Sequence, residues 1–184
     1  QHDFSNPADA FECGTTPEEV GYRGGADTGG SIPTSGDTRH TYRLAMTLTG
    51  EYCEFWGGTV VATAFSTVTV NRVNSVYEVD AAIRLNYVFT QAYPDRDTDP
   101  FPTGGVVDGA LLDQNQTVLD TVLGSANYDI GHIMSQGGSG GLAPGRACSS
   151  TKARGGTSRA VPSGDPFDID FVSHEIGHQF TASH

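Results

Sequence analysis

The stretch HEIGHQFTASH, residues 174–184, places three histidines and one glutamate within one short run. On an α-helix, residues four apart differ by only about 40° of rotation. His174 and His178 therefore project from one face and can share a cation, with Glu175 beside them. His184 carries a geometric condition. If the helix simply continued, it would lie about 240° net round from His178, out of reach. The chain must break between the two, and a sharp break favours a residue tolerant of positive φ, most naturally Gly. Here the position holds Thr181, a β-branched residue for which that conformation is costly.

Working outward, SGDPFDIDFVSHEIGHQF (163–180) reads as the helix that carries the histidines. Asp165, Asp168 and Asp170 suit its positive N-terminal end, and Ile169, Val172, Ile176 and Phe180 form its apolar stripe. Further upstream, TYRLAMTLT (41–49) alternates as a strand does, and AAIRLNYVF (81–89) and YDIGHIM (128–134) are two more strands. Between them, residues 57–80 form a helix with Val61, Phe65, Val68, Val73, Val76 and Tyr77 as its core stripe. Residues 113–124 form another, with Asp113 as N-cap and Gly124 as its stop. The Gly-rich loop 135–150 carries an exposed edge strand near Leu142–Cys148. This alternation of strands and helices is that of an α/β sheet with helical crossovers. Residues 1–40, rich in Gly, Pro, Ser, Thr and Asp, read as an extended arm before a domain spanning 41–184.

The chemistry follows from the donors. Zinc held by imidazoles with an open position lowers the pKa of water and polarises a carbonyl. A carboxylate beside it, Glu175, can take the proton of that water and deliver it to a leaving amine. Those are the parts of a metallopeptidase. With 6 histidines in 184 residues, the four-residue spacing with its glutamate arises by chance about once in 130 such chains. The third histidine makes accident roughly thirty times rarer.

Composition narrows the partners. A formal charge of -12, from 22 acidic against 10 basic side chains, argues against nucleic acid and anionic membrane, which need clustered cations. No apolar run reaches the roughly 18 residues of a membrane span, and QHDFSNPADA does not read as a signal peptide. Cys13, Cys53 and Cys148 allow one disulfide and one thiol, or a partner elsewhere; a Cys13 thiolate capping the metal is a sharper but less favoured reading. Asp95, Asp97 and Asp99 are spaced like a calcium loop, yet Pro100 stands where such a loop needs Gly, so a solvated acidic loop is the preferred reading. The sequon NQT (115–117) falls inside a helix and carries little weight. His132 reads as a packed or edge histidine rather than a ligand, and His2 and His40 as solvated ones.

These segments together, TYRLAMTLTGEY, VNRVNSVYEVDAAIRL, LDQNQTVLDTVLGSANYDIGHIMS, GLAPGRACSSTKARG and GDPFDIDFVSHEIGHQF, resemble the metzincin zinc endopeptidases, in order and over residues 41–184. Within them the likeness is to the reprolysin-like (adamalysin) group in its bacterial secreted form. Thr181 departs from the family pattern, which has Gly there. The resemblance implies a mixed sheet, mostly parallel with one antiparallel edge strand in GLAPGRAC, backed by helices with the zinc helix at the C-terminal end. It implies zinc on His174, His178 and His184, Glu175 as catalytic base, and extended peptide or protein substrate bound along Gly141, Leu142 and Ala143. It further implies a secreted, monomeric enzyme that can bind structural calcium. Family members continue past the third histidine to a Met-containing turn, so this sequence is expected to be the upper part of a longer protease. The competing expectation is a non-catalytic fragment or binding module that retains a partial zinc site.

Overall fold

The computed structural model describes residues 38–184; almost all of the expected N-terminal arm, with Cys13 and His2, lies outside the described residues. The chain runs β1 (His40–Leu48), α1 (Gly50–Phe55), α2 (Thr59–Asp80), β2 (Ile83–Ala92), α3 (Gly109–Val122), β3 (Ile130–Gln136), β4 (Gly140–Leu142) and β5 (Gly156–Arg159). It ends in a short turn α4 (Asp165–Phe167), a π-helical turn (Asp168–Ser173) and α5 (His174–Gln179). The five strands form one sheet in the order β2-β1-β3-β5-β4. All neighbouring pairs are parallel except β4 with β5, where Gly141 stands opposite Thr157. This is the mixed α/β sheet with one antiparallel edge strand that the sequence led us to expect.

Helices cover both faces, as a mostly parallel sheet requires. The larger core cluster joins Leu44, Met46 and Leu48 of β1 and Met134 of β3 to Val70, Val73 and Tyr77 of α2 and Val172 and Ile176 of the terminal segment. Leu111, Leu112 and Val118 of α3 pack on Ile133 on the other side. The terminal helical segment thus lies against α2 and the sheet. Asp168, buried, accepts a 2.7 Å hydrogen bond from the Thr69 hydroxyl and pairs with Arg72. The Tyr77 hydroxyl donates to the Ser173 carbonyl, one residue before the histidine motif.

Several elements differ from the sequence reading, each for a physical reason. The buried stripe of α2 is Ala62, Ser66, Thr69, Val70, Val73, Asn74 and Tyr77, while Val61, Phe65 and Val68 are exposed. Its polar members are satisfied: Ser66 bonds the Tyr87 hydroxyl, and the Asn74 amide exchanges two bonds with the Leu85 backbone. The α3 helix starts five residues early because Asp108, not Asp113, caps it by accepting from the Leu111 amide. Gly124 does stop it, with φ +87°. The edge strand ends at Leu142 rather than continuing to Cys148, because Pro144 has no amide hydrogen for the ladder. The expected terminal helix contains a π turn, which carries an extra residue per turn. That shifts the buried set to Phe167, Phe171, Val172 and Ile176 and leaves Ile169 half-buried. Two short elements, α1 and β5, were missed.

Candidate metal centre

The three histidines come together at the end of the chain. The π turn, pinned by Tyr77 and Asp168, delivers His174 as the first residue of α5, and His178 follows one turn later. The helix then stops. Thr181 takes φ +69°, its amide donates to the His178 carbonyl at 2.7 Å, and the Ala182 amide donates to the Gly177 carbonyl at 3.1 Å. This pair of bonds is the Schellman termination, with Thr181 in the left-handed position that glycine usually fills. The turn reverses the chain and brings the His184 ring to 4.6 Å from His178 and 5.3 Å from His174, centre to centre.

One ligand atom from each histidine lies within 4.8 Å of the others, and this is the only group of three or more potential metal ligands among the described residues. The Nε2 atoms of His174 and His178 are 3.0 Å apart. Tetrahedral zinc at about 2.0–2.1 Å from each nitrogen separates its ligands by about 3.3 Å. The pair on α5 therefore fits the ion without rearrangement of that helix, and the third histidine offers its nitrogen within 4.8 Å of both. The tautomer of His178 also fits. Its Nδ1 is 2.7 Å from the Ala182 carbonyl, which can only accept, so Nδ1 carries the proton and Nε2 presents a lone pair. Burial, followed by the neighbouring His178 and His184 charges, pushes His174 down to about 4. Burial is also the main cause that lowers His178. Both rings are neutral at pH 7, the state in which imidazole binds a metal.

Glu175 is fully buried beside this group, under the edge strand. A Cβ at position 141 would fall 2.3 Å from the Glu175 Cγ and 2.4 Å from its Cδ and Oε1. The absence of a side chain on β4 is thus what lets the carboxylate lie against that strand. Leu142 continues β4 and Ala143 is buried just beyond it. The residues expected from the resemblance to carry the metal, the base and the substrate strand are therefore contiguous in space.

The other marked positions fall outside the site. Asp95 and Asp99 spend their carboxylates on backbone amides, Asp95 on Asp97 and Asp99 on Gly50 and Phe101. Asn115 of the sequon is buried and donates to the Ala153 carbonyl. Cys53 is buried, Cys148 is exposed, and they are not bonded to each other. His132 is a packed histidine, but its contacts reach α5 through Gln179, a residue the sequence reading passed over.

Residues 63–184 match the family model described as metallo-peptidase family M12B, reprolysin-like. The chain belongs to this family. A search of the curated proteins gives no match. Among solved structures, one described as "Structure of a chaperone-substrate complex" is similar, with a TM-score of 0.54 and 16% identity over 77% of this chain. That likeness supports the fold. The chain spans 23% of the length of that solved chain. No helix among the described residues is long and apolar enough to cross a membrane.

Proposed function

We propose that this reprolysin-like chain carries the catalytic centre of a secreted zinc endopeptidase, with His174, His178 and His184 as ligands and Glu175 as general base. The observation that carries this reading is the convergence of three imidazoles at the end of a helix whose Glu175 is buried against an edge strand. When bound, zinc supplies Lewis acidity to the scissile carbonyl and to water. The chain's own residues do the rest. An extended peptide adds to the edge of β4 at Gly141–Ala143, where backbone hydrogen bonds fix its register. Glu175 accepts a proton as water oxygen attacks the carbonyl carbon, and returns it to the nitrogen as the C–N bond breaks. Burial beneath β4 keeps that carboxylate from drifting into solvent. The left-handed turn at Thr181, closed by its two backbone hydrogen bonds, sets where the third imidazole stands.

The test is zinc stoichiometry together with cleavage of an unstructured protein substrate by the chain and by Glu175→Gln. The reading expects one zinc in both and a loss of on the order of a hundredfold or more in cleavage for the variant. Cleavage that survives Glu175→Gln at the original rate overturns it. Zinc binding without cleavage by the unsubstituted chain would favour a non-catalytic binding module.

A further inference from the structure

Glu175 and Gln179 are one helical turn apart, so they share a face of α5 that is turned by about 100° from the His174–His178 face. This face is polar, yet both side chains are almost wholly buried, at 0% and 1% exposure. Each sits against a glycine. Glu175 lies against Gly141, and a Cβ at position 155 would fall 2.3 Å from the Gln179 Cδ and Oε1.

The Gln179 amide is fixed by directional bonds to β3 and to the loop that precedes β5. Its Nε2 donates to the carbonyl of Gly131 in β3 at 2.9 Å and to that of Lys152, before β5, at 3.1 Å. Both donors are thereby committed to groups that only accept. Its Oε1 must then face the His132 ring, 3.0 Å from Nδ1. That places the His132 proton on Nδ1 and leaves Nε2 to accept from the Thr157 hydroxyl of β5, 2.8 Å away. Separately, the backbone carbonyl of Gln179 accepts from the Ala147 amide. Apolar contacts hold a helix to a sheet but constrain its rotation less sharply than hydrogen bonds, because the hydrophobic effect is non-directional. This chain of hydrogen bonds does fix it.

We propose that Gln179 is a positioning residue for the metal centre. Through His132 and the two carbonyls it locks the rotation of α5, so that His178, its neighbour in sequence, stays beside His174, and Glu175, one turn back, stays against Gly141 of β4. This inference rests on the metal-binding reading above.

The experiment uses three variants of the chain: Gln179→Ala, Gln179→Ala with Gly155→Ala, and Gln179→Met. In the double variant the new methyl fills part of the space left by the amide, restoring packing without hydrogen bonds. Gln179→Met keeps the volume and loses the bonds. Urea unfolding without metal reads stability, zinc titration against a chromogenic chelator reads affinity, and cobalt(II) absorption reads ligand geometry. The expected result is that the double variant is more stable than Gln179→Ala. Every variant that folds should still bind zinc on the order of tenfold or more weakly than the original chain, with an altered cobalt spectrum. A purely structural role predicts the opposite: in folded variants, zinc affinity and cobalt spectrum stay those of the original chain, and that outcome overturns the proposal. If the original chain itself binds no zinc, the metal reading fails, a result distinct from failure of the Gln179 proposal.

Discussion

Replacing Thr181 by glycine should stabilise this fold, against the usual direction for a mutation to Gly. Thr181 sits at φ +69°, where the Cβ of an L-residue crowds the following carbonyl at a cost of about 1–2 kcal/mol. As a β-branched residue, threonine belongs toward the upper end of that range. The position is exposed, so little packing is lost with the side chain. Against the relief stands the larger conformational freedom of glycine in the unfolded chain, about 0.5–1 kcal/mol. The net gain is about 0.5–1 kcal/mol. For a chain of this size that raises Tm by about 1–4 °C. Both backbone bonds of the turn, from Thr181 to His178 and from Ala182 to Gly177, are retained in the variant.

Thermal and urea unfolding of the metal-free chain, with Thr181→Ala as control, measure this. Alanine keeps the Cβ and so keeps most of the strain; it should gain less than glycine. A Thr181→Gly chain that melts at the original temperature or below would refute the strain argument. It would mean that the threonine hydroxyl or methyl contributes more to the turn than its backbone geometry costs.

Other expectations follow from the same contacts. Gly141→Ala drives a methyl into Glu175, so it should cost about 1–3 kcal/mol by overpacking; in a Glu175→Ala background the cost should largely vanish, which a double-mutant urea cycle checks. Tyr77→Phe removes the hydrogen bond to the Ser173 carbonyl and should lower urea stability by about 1–2 kcal/mol. Burial pushes His132 down to about 4, below its unfolded value of about 6.5. The unfolded chain therefore binds the extra proton between those values, and stability rises with pH across that window. As pH falls from about 6.5 to about 4 the contribution lost is about 3 kcal/mol. A His132→Gln chain should show a flatter dependence in the same window, and an equally steep one would remove His132 as the cause.

How much of this was legible in the chain divides by the kind of force involved. Alternation along TYRLAMTLT and AAIRLNYVF exposed β1 and β2, because large apolar side chains at every second residue leave a period-two record, even in β1, whose inner half is buried on both faces. The α2 face was misplaced because its buried side includes Ser66, Thr69 and Asn74. Apolar periodicity is blind to a polar residue that finds its partner 11 residues away, or 99 in the case of Thr69 and Asp168. The strand GTSR of β5 carries no apolar residue, and all but its last residue are buried nonetheless. Its place between β3 and β4 is set by backbone pairing, not by side-chain hydrophobicity.

The same division runs through the candidate site. The spacing of His174, His178 and His184 is a local fact, and helix geometry alone dictated that the chain must reverse near Thr181. What aims the histidines is not local. Gln179 meets His132 across 47 residues and Lys152 across 27, and its seat exists only because position 155 has no side chain. Burying such groups costs several kcal/mol unless each is paired, so a sheet-facing polar stripe brings no stability that leucines could not supply. What it adds is a single permitted rotation. A metal centre built on a six-residue helix needs that more than it needs adhesion, since a roll of one residue, about 100°, would turn its two imidazoles toward the sheet and its carboxylate away from β4.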